Sequence, residues 1–242
     1  MTPLILVLGP VGSGRAGLLK ELVENAWPAA KQVRTLRVAG DAPSDHPTSD
    51  LWEMKEGAAI VPAPGTEDVA ILVTDGRRSV VDQMEALHHV LYGSAQWRVQ
   101  RILTVYDCPL THRHEAVAEW YAPAVHFADA VVLTRRWEVP GQWLSKHLAT
   151  YTDAFYPCLF INLLKNGTLH NPAEAVEGEP LRMSHIFDEI DAVDEMEFDE
   201  DNLPDEPFDL VRQPDKYFAR DDFGRRQIIV PDIAEILRAE GR

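Results

Sequence analysis

The clearest chemistry in this sequence belongs to a glycine-rich loop, Gly9 to Ala16, with the sequence GPVGSGRA. It lies between a short apolar run and a stretch with helically spaced leucines, which is the context that a phosphate-binding P-loop requires. Glycines let successive backbone N–H groups close around an anion, and the following helix N-terminus adds a favourable dipole. Gly9 and Gly14 have the spacing of the pattern G-x-x-x-x-G-K-[ST], so the loop predicts a nucleotide or phosphate site.

Two positions depart from that pattern. Arg15 stands where the lysine belongs, and its planar fork binds phosphate in a different geometry. Ala16 stands where a hydroxyl normally coordinates Mg²⁺, so that ligand is missing. The loop alone leaves two interpretations open: a nucleotide site, or a strand-to-helix turn that binds nothing or only adventitious anions. The residues predicted to surround a phosphate are Gly9, Gly12, Ser13, Gly14, Arg15 and Ala16.

Other groups that suggest metal chemistry are sparse. Asp75 and Asp107 follow apolar runs and are candidates for the remnant of a Mg²⁺ site, although Asp75 also suits a turn before Gly76. His112 and His114 diverge if they lie on a helix, because residues two apart do not share a helix face. No site for another metal is therefore predicted, and no catalytic residue is identified.

The elements that must position these residues follow from the apolar pattern. Runs of strand length alternate with amphipathic stretches, which predicts an α/β fold with a mostly parallel sheet flanked by helices. A long loop is expected over residues 41–65, with one short strand at 58–61. The predicted strands are 4–8, 33–39, 69–74, 101–106, 130–134, 158–163 and 227–230, and the predicted helices are 15–25, 81–91, 114–127, 142–150 and 231–239.

Composition narrows the function classes. The chain has 39 acidic residues against 23 Lys and Arg, a net charge of −16, which disfavours non-specific binding of nucleic acid or anionic membranes. Its two cysteines fit no disulfide framework. The first residues lack a basic segment, and their apolar run is too short for a signal sequence or a membrane span. We therefore expect a cytoplasmic protein.

The composition changes after Met183. Residues 188–209 contain 12 acids and no Lys or Arg, so the sequence predicts a nucleotide-binding domain at 1–182 and an acidic extension at 183–242. Three interpretations of the acidic run are open. It is a solvated linker, a docking arm for a protein partner with a basic surface, or a segment pinned across the domain by its apolar residues. Those apolar residues are Phe198, Phe208 and Leu210.

Two further segments carry a family resemblance. The run Arg101–Asp107, RILTVYD, is followed by FADAVVLTRRW at residues 127–137, and the loop places Gly9, Gly12 and Gly14 as G-x-x-G-x-G. In order and spacing, these segments resemble the CobW family of GTP-dependent metallochaperones over residues 3–165. The resemblance implies a P-loop NTPase-type fold, GTP and Mg²⁺ as ligands, and delivery of metal to client proteins.

The departures from the family pattern weaken its chemistry. In the N-K-x-D motif of the family, Thr134 replaces Asn, Arg135 replaces Lys and Trp137 replaces Asp, and Trp cannot accept hydrogen bonds from guanine. Val73 occupies the acidic position of the E-x-x-G segment. Residues 40–68 contain no cysteine of the C-x-C-C metal motif. Thr134 and Arg135 remain candidate nucleotide contacts, and binding of Mg²⁺ is expected to be weakened.

The sequence leaves three functions open. The first is a CobW-like P-loop protein that binds GTP or another nucleotide weakly, hydrolyses it little or not at all, and acts through a protein partner. The second is an interaction module that uses the P-loop fold as a scaffold and the acidic arm for docking. The third is an active GTPase or metal carrier, in which Arg15, Asp75 and Asp107 rebuild the catalytic shell.

Overall fold

Strands and helices alternate along the chain in the computed structural model, which describes residues 1–28, 31–39, 49–188 and 214–242. The strands are β1 (Thr2–Leu8), β2 (Val33–Arg37), β3 (Ser49–Leu51), β4 (Glu53–Lys55), β5 (Ala58–Ile60), β6 (Val69–Val73), β7 (Trp97–Asp107), β8 (Ala130–Thr134) and β9 (Leu159–Asn162). The helices are α1 (Arg15–Asn25), α2 (Val80–Leu91), α3 (Cys108–Arg113), α4 (Glu115–Phe127), α5 (Gly141–Thr152), α6 (Pro172–Val176) and α7 (Ala234–Ala239).

Seven of these strands form one parallel sheet in the order β3-β2-β6-β1-β7-β8-β9. The central strand β1 is buried on both faces: Leu4, Leu6 and Leu8 lie in one core, and Ile5 and Val7 lie in the other. Helices α1 and α6 cover the second core, while α2, α4, α5 and α7 cover the first. This arrangement confirms the predicted α/β fold with a parallel sheet flanked by helices.

Several boundaries differ from the prediction. The strand predicted at 227–230 is wrong: this run forms no strand pairing in the described structure, and Ile229 is 88% exposed. A short apolar run has no periodicity that distinguishes a strand from a loop, and here no sheet edge receives it. Helix α7 begins at Ala234, not at Pro231, and the Asp232 carboxylate accepts a hydrogen bond from the Ala234 N–H at 2.8 Å.

The region predicted as a long loop also contains regular structure. Strand β3 extends the sheet edge, and β4 and β5 form a separate antiparallel hairpin. The short strand expected at 58–61 is β5, and its Ala59 is buried. Residues 40–48 lie outside the described part of the chain, as do residues 189–213 with the predicted contacts of Phe198, Phe208 and Leu210.

The described part of the C-terminal extension shares the core of the sheet domain. Tyr217, Ile233 and Leu237 are buried in the same cluster as the leucines of β1. On either side of residues 189–213, Ser184 and Asp215 meet: the Ser184 hydroxyl donates to Asp215 Oδ2 at 2.6 Å. His126, at the end of α4, also contacts Asp215 Oδ2, through Nε2 at 2.8 Å. The chain therefore leaves and re-enters the described structure at one point, which we call the Ser184–Asp215 clasp.

Both cysteines lie in the core. Cys108 and Cys158 are free and buried, and burial raises the pKa of both thiols to about 12. None of the described helices is both long enough and apolar enough to span a bilayer.

A buried carboxylate organises the end of the sheet opposite the glycine loop. Asp129, just before β8, accepts hydrogen bonds from the backbone N–H groups of Ile102 and Leu181, both at 2.7 Å. It also accepts one from Arg182 Nη1 at 3.1 Å and lies 3.7 Å from Arg101 Nη1. Asp129 therefore ties β7 and β8 to the chain that follows α6.

We expect Asp129→Asn to lower the free energy of unfolding by about 3–5 kcal/mol, because the buried guanidinium of Arg101 loses its carboxylate partner and that of Arg182 loses one carboxylate and keeps Asp188. Urea unfolding at pH 7 measures this loss. Asp153→Asn is the matched control, because Asp153 is exposed and its replacement should change stability by no more than about 0.5 kcal/mol. A loss below about 1 kcal/mol for Asp129→Asn would contradict the role given to this carboxylate.

Candidate phosphate-binding site

The glycine loop lies where β1, β6, β7 and β8 end, at the carboxyl edge of the sheet. It is curled: the Ser13 N–H donates to the Pro10 carbonyl oxygen at 3.2 Å. Gly12 and Gly14 have φ of +74° and +102°, in the left-handed region that side chains disfavour. The loop therefore has the compact conformation that the glycine spacing predicts.

The ends of two strands, β6 and β8, brace the loop. The Val11 N–H donates to the Gly76 carbonyl oxygen at 3.2 Å, beyond β6. Gly76 packs so closely that an added Cβ would collide with Val11 N and lie 2.7 Å from the Pro10 carbonyl carbon. From β8, the Thr134 hydroxyl donates to the Ser13 carbonyl oxygen at 2.8 Å. Thr134, a predicted nucleotide contact, therefore holds the loop itself.

The bond to Ser13 also orients the next backbone donor. In a trans peptide the C=O and N–H groups point in opposite directions, so the Gly14 N–H points away from Thr134. Gly14 is the N-cap of α1, which has no side-chain cap and no acid in its first turn. The N–H groups of Gly14, Ala16 and Gly17 have no intrahelical acceptor, and the helix dipole adds partial positive charge there. These donors fit an anion.

Ser13 supplies a second sign of an incomplete polar site. Its side chain is fully buried, and its hydroxyl has no hydrogen-bond partner in the described structure. Buried hydroxyls are usually hydrogen-bonded, because an unmade bond costs about 1–3 kcal/mol. The loop therefore contains an unpaired polar group next to open backbone donors.

Arg15 lies at the lysine position of the loop but contacts the sheet. It is buried, and its Nη1 donates to the Thr74 carbonyl oxygen at 2.5 Å. This bond ties the start of α1 to the end of β6. A planar guanidinium with several donors can make this carbonyl contact while keeping its charge near the loop.

The main charge cluster lies on the other side of the loop, around Asp107. This fully buried carboxylate accepts hydrogen bonds through Oδ2 from Arg135 and from Arg242 Nη1, the latter at 2.5 Å. Its Oδ1 accepts the Leu110 N–H at 3.1 Å and so caps α3. One carboxylate faces two guanidinium groups, so the cluster keeps a net charge of +1 beside the loop.

Both arginines of this cluster reach the glycine loop. Arg135 has φ of +52°, and its Nη2 lies 3.4 Å from the Gly12 carbonyl oxygen. A left-handed backbone is uncommon for a non-glycine residue and often marks a functional position. Arg242 packs its stem on Gly12, since a Cβ added there would lie 2.8 Å from Arg242 Cδ. No local sequence signal indicates Arg242, which is 135 positions from Asp107.

Asp75 lies in the turn after β6, next to Gly76. Its Oδ1 accepts the Arg77 N–H at 3.0 Å, and its Oδ2 lies 3.2 Å from Arg78 Nε. Both candidate carboxylates, Asp75 and Asp107, thus have cationic partners, and no hydroxyl follows Arg15. The residues present do not fit an ordinary P-loop Mg²⁺ site, and the described ranges contain no cluster of three metal-binding side chains.

The position expected to recognise a base has changed as well. After Arg135 a 3-10 turn, Arg136–Glu138, presents Trp137, which is 45% exposed. Its indole offers a flat apolar surface and one donor but no acceptor for guanine. The geometry therefore provides for phosphate more fully than for a particular base.

Among solved structures, the chain is similar to the hydrogenase maturation factor HypB from Archaeoglobus fulgidus, with 12% identity, 69% of this chain and 84% of that chain covered, and a TM-score of 0.45. It is also similar to the Zn(II)-bound YjiA GTPase from E. coli, with 9% identity, 74% of this chain and 66% of that chain covered, and a TM-score of 0.39. For the cell division protein FtsY from Thermotoga maritima, the identity is 18%, 73% of this chain and 68% of that chain are covered, and the TM-score is 0.44. No protein-family model and no curated protein matches the chain significantly. At these identities the similarities concern the course of the chain and not the chemistry of the site.

Helix α7, which carries Arg242 to the loop, is held by Glu240. The Glu240 carboxylate accepts from Arg113 Nη2 at 2.5 Å and contacts His114 Nε2 at 2.9 Å. The hydrogen bond from Arg113, followed by that from His114, lowers the pKa of Glu240 to about 2. A carboxylate with a lowered pKa in the folded state stabilises that state above its unfolded pKa of about 4.5.

We expect Glu240→Gln to reduce stability at pH 7 by about 1 kcal/mol or less, because the pair is partly exposed. The difference in stability between the parent and Glu240→Gln should stay constant down to pH 4.5. It should become smaller as the pH falls from 4.5 toward 2. Thermal unfolding across this range measures it, with Glu119→Gln, an exposed carboxylate on α4, as the control. A difference that widens in acid would refute the assignment.

Proposed function

We propose that this chain is a CobW-like P-loop protein that binds the phosphate groups of a nucleotide at residues 9–16 and acts through a protein partner. The observation that carries the proposal is the uncapped start of α1 beneath a curled glycine loop. Backbone donors at a helix N-terminus form an anion site without further chemistry. The unpaired hydroxyl of Ser13 in the same loop supports this assignment.

Electrostatics favours the same ligand. The chain carries a net charge of −16, yet Arg15, Arg135 and Arg242 all lie at the loop. Among the residues that the structure describes, one buried carboxylate, Asp107, pairs with the last two. A phosphate would add the negative charge that the cluster lacks, and charge-assisted hydrogen bonds from guanidinium are among the stronger contacts available to it.

Hydrolysis is expected to be slow or absent. Phosphoryl transfer depends on Mg²⁺, a lysine and an oriented water, and this loop has neither the hydroxyl ligand nor the lysine. Loss of one well-placed electrostatic stabiliser typically costs about 2.7–4 kcal/mol in the transition state. The carboxylates of Asp75 and Asp107 are already engaged by arginines. We infer a role in which binding, and not turnover, carries the function.

Calorimetry with GTP, GDP, ATP and inorganic pyrophosphate, each with and without Mg²⁺, tests this proposal. We expect weak binding of all the phosphates, with less than about tenfold preference for guanine, because Trp137 offers guanine no hydrogen-bond acceptor. Added Mg²⁺ should change the affinity little. Absence of both heat and thermal stabilisation at millimolar ligand would remove the proposal.

A pair of glycine variants makes the test specific to the loop. Gly76→Ala should abolish binding, because its Cβ collides with the loop backbone at Val11 without touching a ligand. Gly141→Ala, outside the loop, is the control, since an added Cβ there has no neighbour within 4 Å and no left-handed φ. Equal affinities of the two variants for pyrophosphate would show that the loop is not the site.

The second candidate function, an interaction module with an acidic docking arm, is favoured by the Ser184–Asp215 clasp. Because Ser184 and Asp215 are in contact, a short Gly/Ser linker in place of residues 189–213 joins two chain ends that already lie together beside the core of Tyr217, Ile233 and Leu237. The replaced chain should keep its melting temperature and its pyrophosphate binding but lose capture of a basic protein partner in a pull-down. Unchanged capture would count against the docking role.

A further inference from the structure

Arg242 occupies a position at the glycine loop that no sequence motif assigns. Its stem lies on Gly12, with Cδ, Cγ and Nε at 2.8, 3.2 and 3.2 Å from the position of an added Cβ. Its Nη1 donates to Asp107 Oδ2 at 2.5 Å, and its side chain is only 12% exposed. The guanidinium is thus fixed at the edge of the loop.

The fold holds this arginine in place from behind. Helix α7 buries Ile233 and Leu237 in the main core, and the Arg242 N–H donates to the Leu237 carbonyl oxygen at 2.9 Å. Glu240 fastens the same helix to Arg113 and His114. A long flexible side chain loses considerable rotamer entropy on ordering. The core packing of α7, the backbone bond to Leu237 and the contacts of Glu240 together offset part of that loss.

Two roles are open to Arg242: it blocks the loop, or it contacts an anion bound there. The chemistry of the loop favours the second role. A side chain that satisfies the backbone donors at the start of α1 must supply acceptors, and a guanidinium has donors only. The Arg242 side chain therefore leaves those donors to an anion and adds positive charge beside them. Arg15 directs its Nη1 to the Thr74 carbonyl oxygen, and Arg242 brings a second guanidinium to the loop.

We propose that Arg242 is a phosphate-binding residue, held at the loop by the packing of α7 just before it in the chain. In this role it takes over part of the charge neutralisation that a P-loop lysine provides. Asp107 holds its guanidinium in position while no ligand is bound. The inference rests on the proposed phosphate site and adds to it a residue and a role.

Titration of inorganic pyrophosphate by calorimetry into the full chain tests the proposal with three variants. Arg242→Ala should weaken binding about tenfold or more, the size of one charge-assisted hydrogen bond. Arg242→Lys should recover part of the loss, because it keeps the charge but not the fork. Arg238→Ala is the matched control: Arg238 is an exposed arginine on α7, and its removal should leave the affinity unchanged.

Thermal unfolding without ligand accompanies each titration, and Arg242→Lys serves as the decisive variant if Arg242→Ala unfolds below the assay temperature. Tighter binding by Arg242→Ala would overturn the proposal and identify Arg242 as an occluding residue. Binding by the parent that is insensitive to Arg242 would overturn this inference alone. Absence of binding in the parent and in every variant would overturn the phosphate site together with it.

Discussion

The buried carboxylate of Asp107 is the interaction on which the arrangement at the loop depends. A buried charge is tolerated only with a partner, and Asp107 has two guanidinium groups and a helix N-terminus. Through them it joins the end of β7 to α3, to the backbone after β8 and to α7. Asp129 has a similar function beside the middle of β7, just before the start of β8, where it contacts two arginines and two backbone donors.

The fold could be predicted where the burial of an element produces a recognisable pattern of apolar residues in the sequence. The run Leu4–Leu8 is apolar at every position because β1 is central and covered on both faces, and the same logic located β6 and β8. The run at 227–230 has a similar composition but no neighbour to pair with, and composition alone could not reveal that. Helix α3 was missed because it is short and begins directly at Asp107.

The site was predictable where it is local in the chain and not where it is assembled in space. Glycine spacing located the loop, and the resemblance at 127–137 pointed to Thr134 and Arg135, which the fold does bring to the loop. Their contacts are with the Ser13 and Gly12 carbonyl oxygens, a bracing role that residue type does not reveal. Arg242 joins them across 135 positions, through a helix whose docking depends on Glu240 and the core.

The Ser184–Asp215 clasp sets the span that the acidic run has to close. Because Ser184 and Asp215 lie 2.6 Å apart, any chain that joins them forms a closed loop and incurs a closure entropy. That entropy grows slowly, by about 0.6 kcal/mol for each doubling of length. A change in the length of the joining chain therefore adds little closure entropy to the cost of folding.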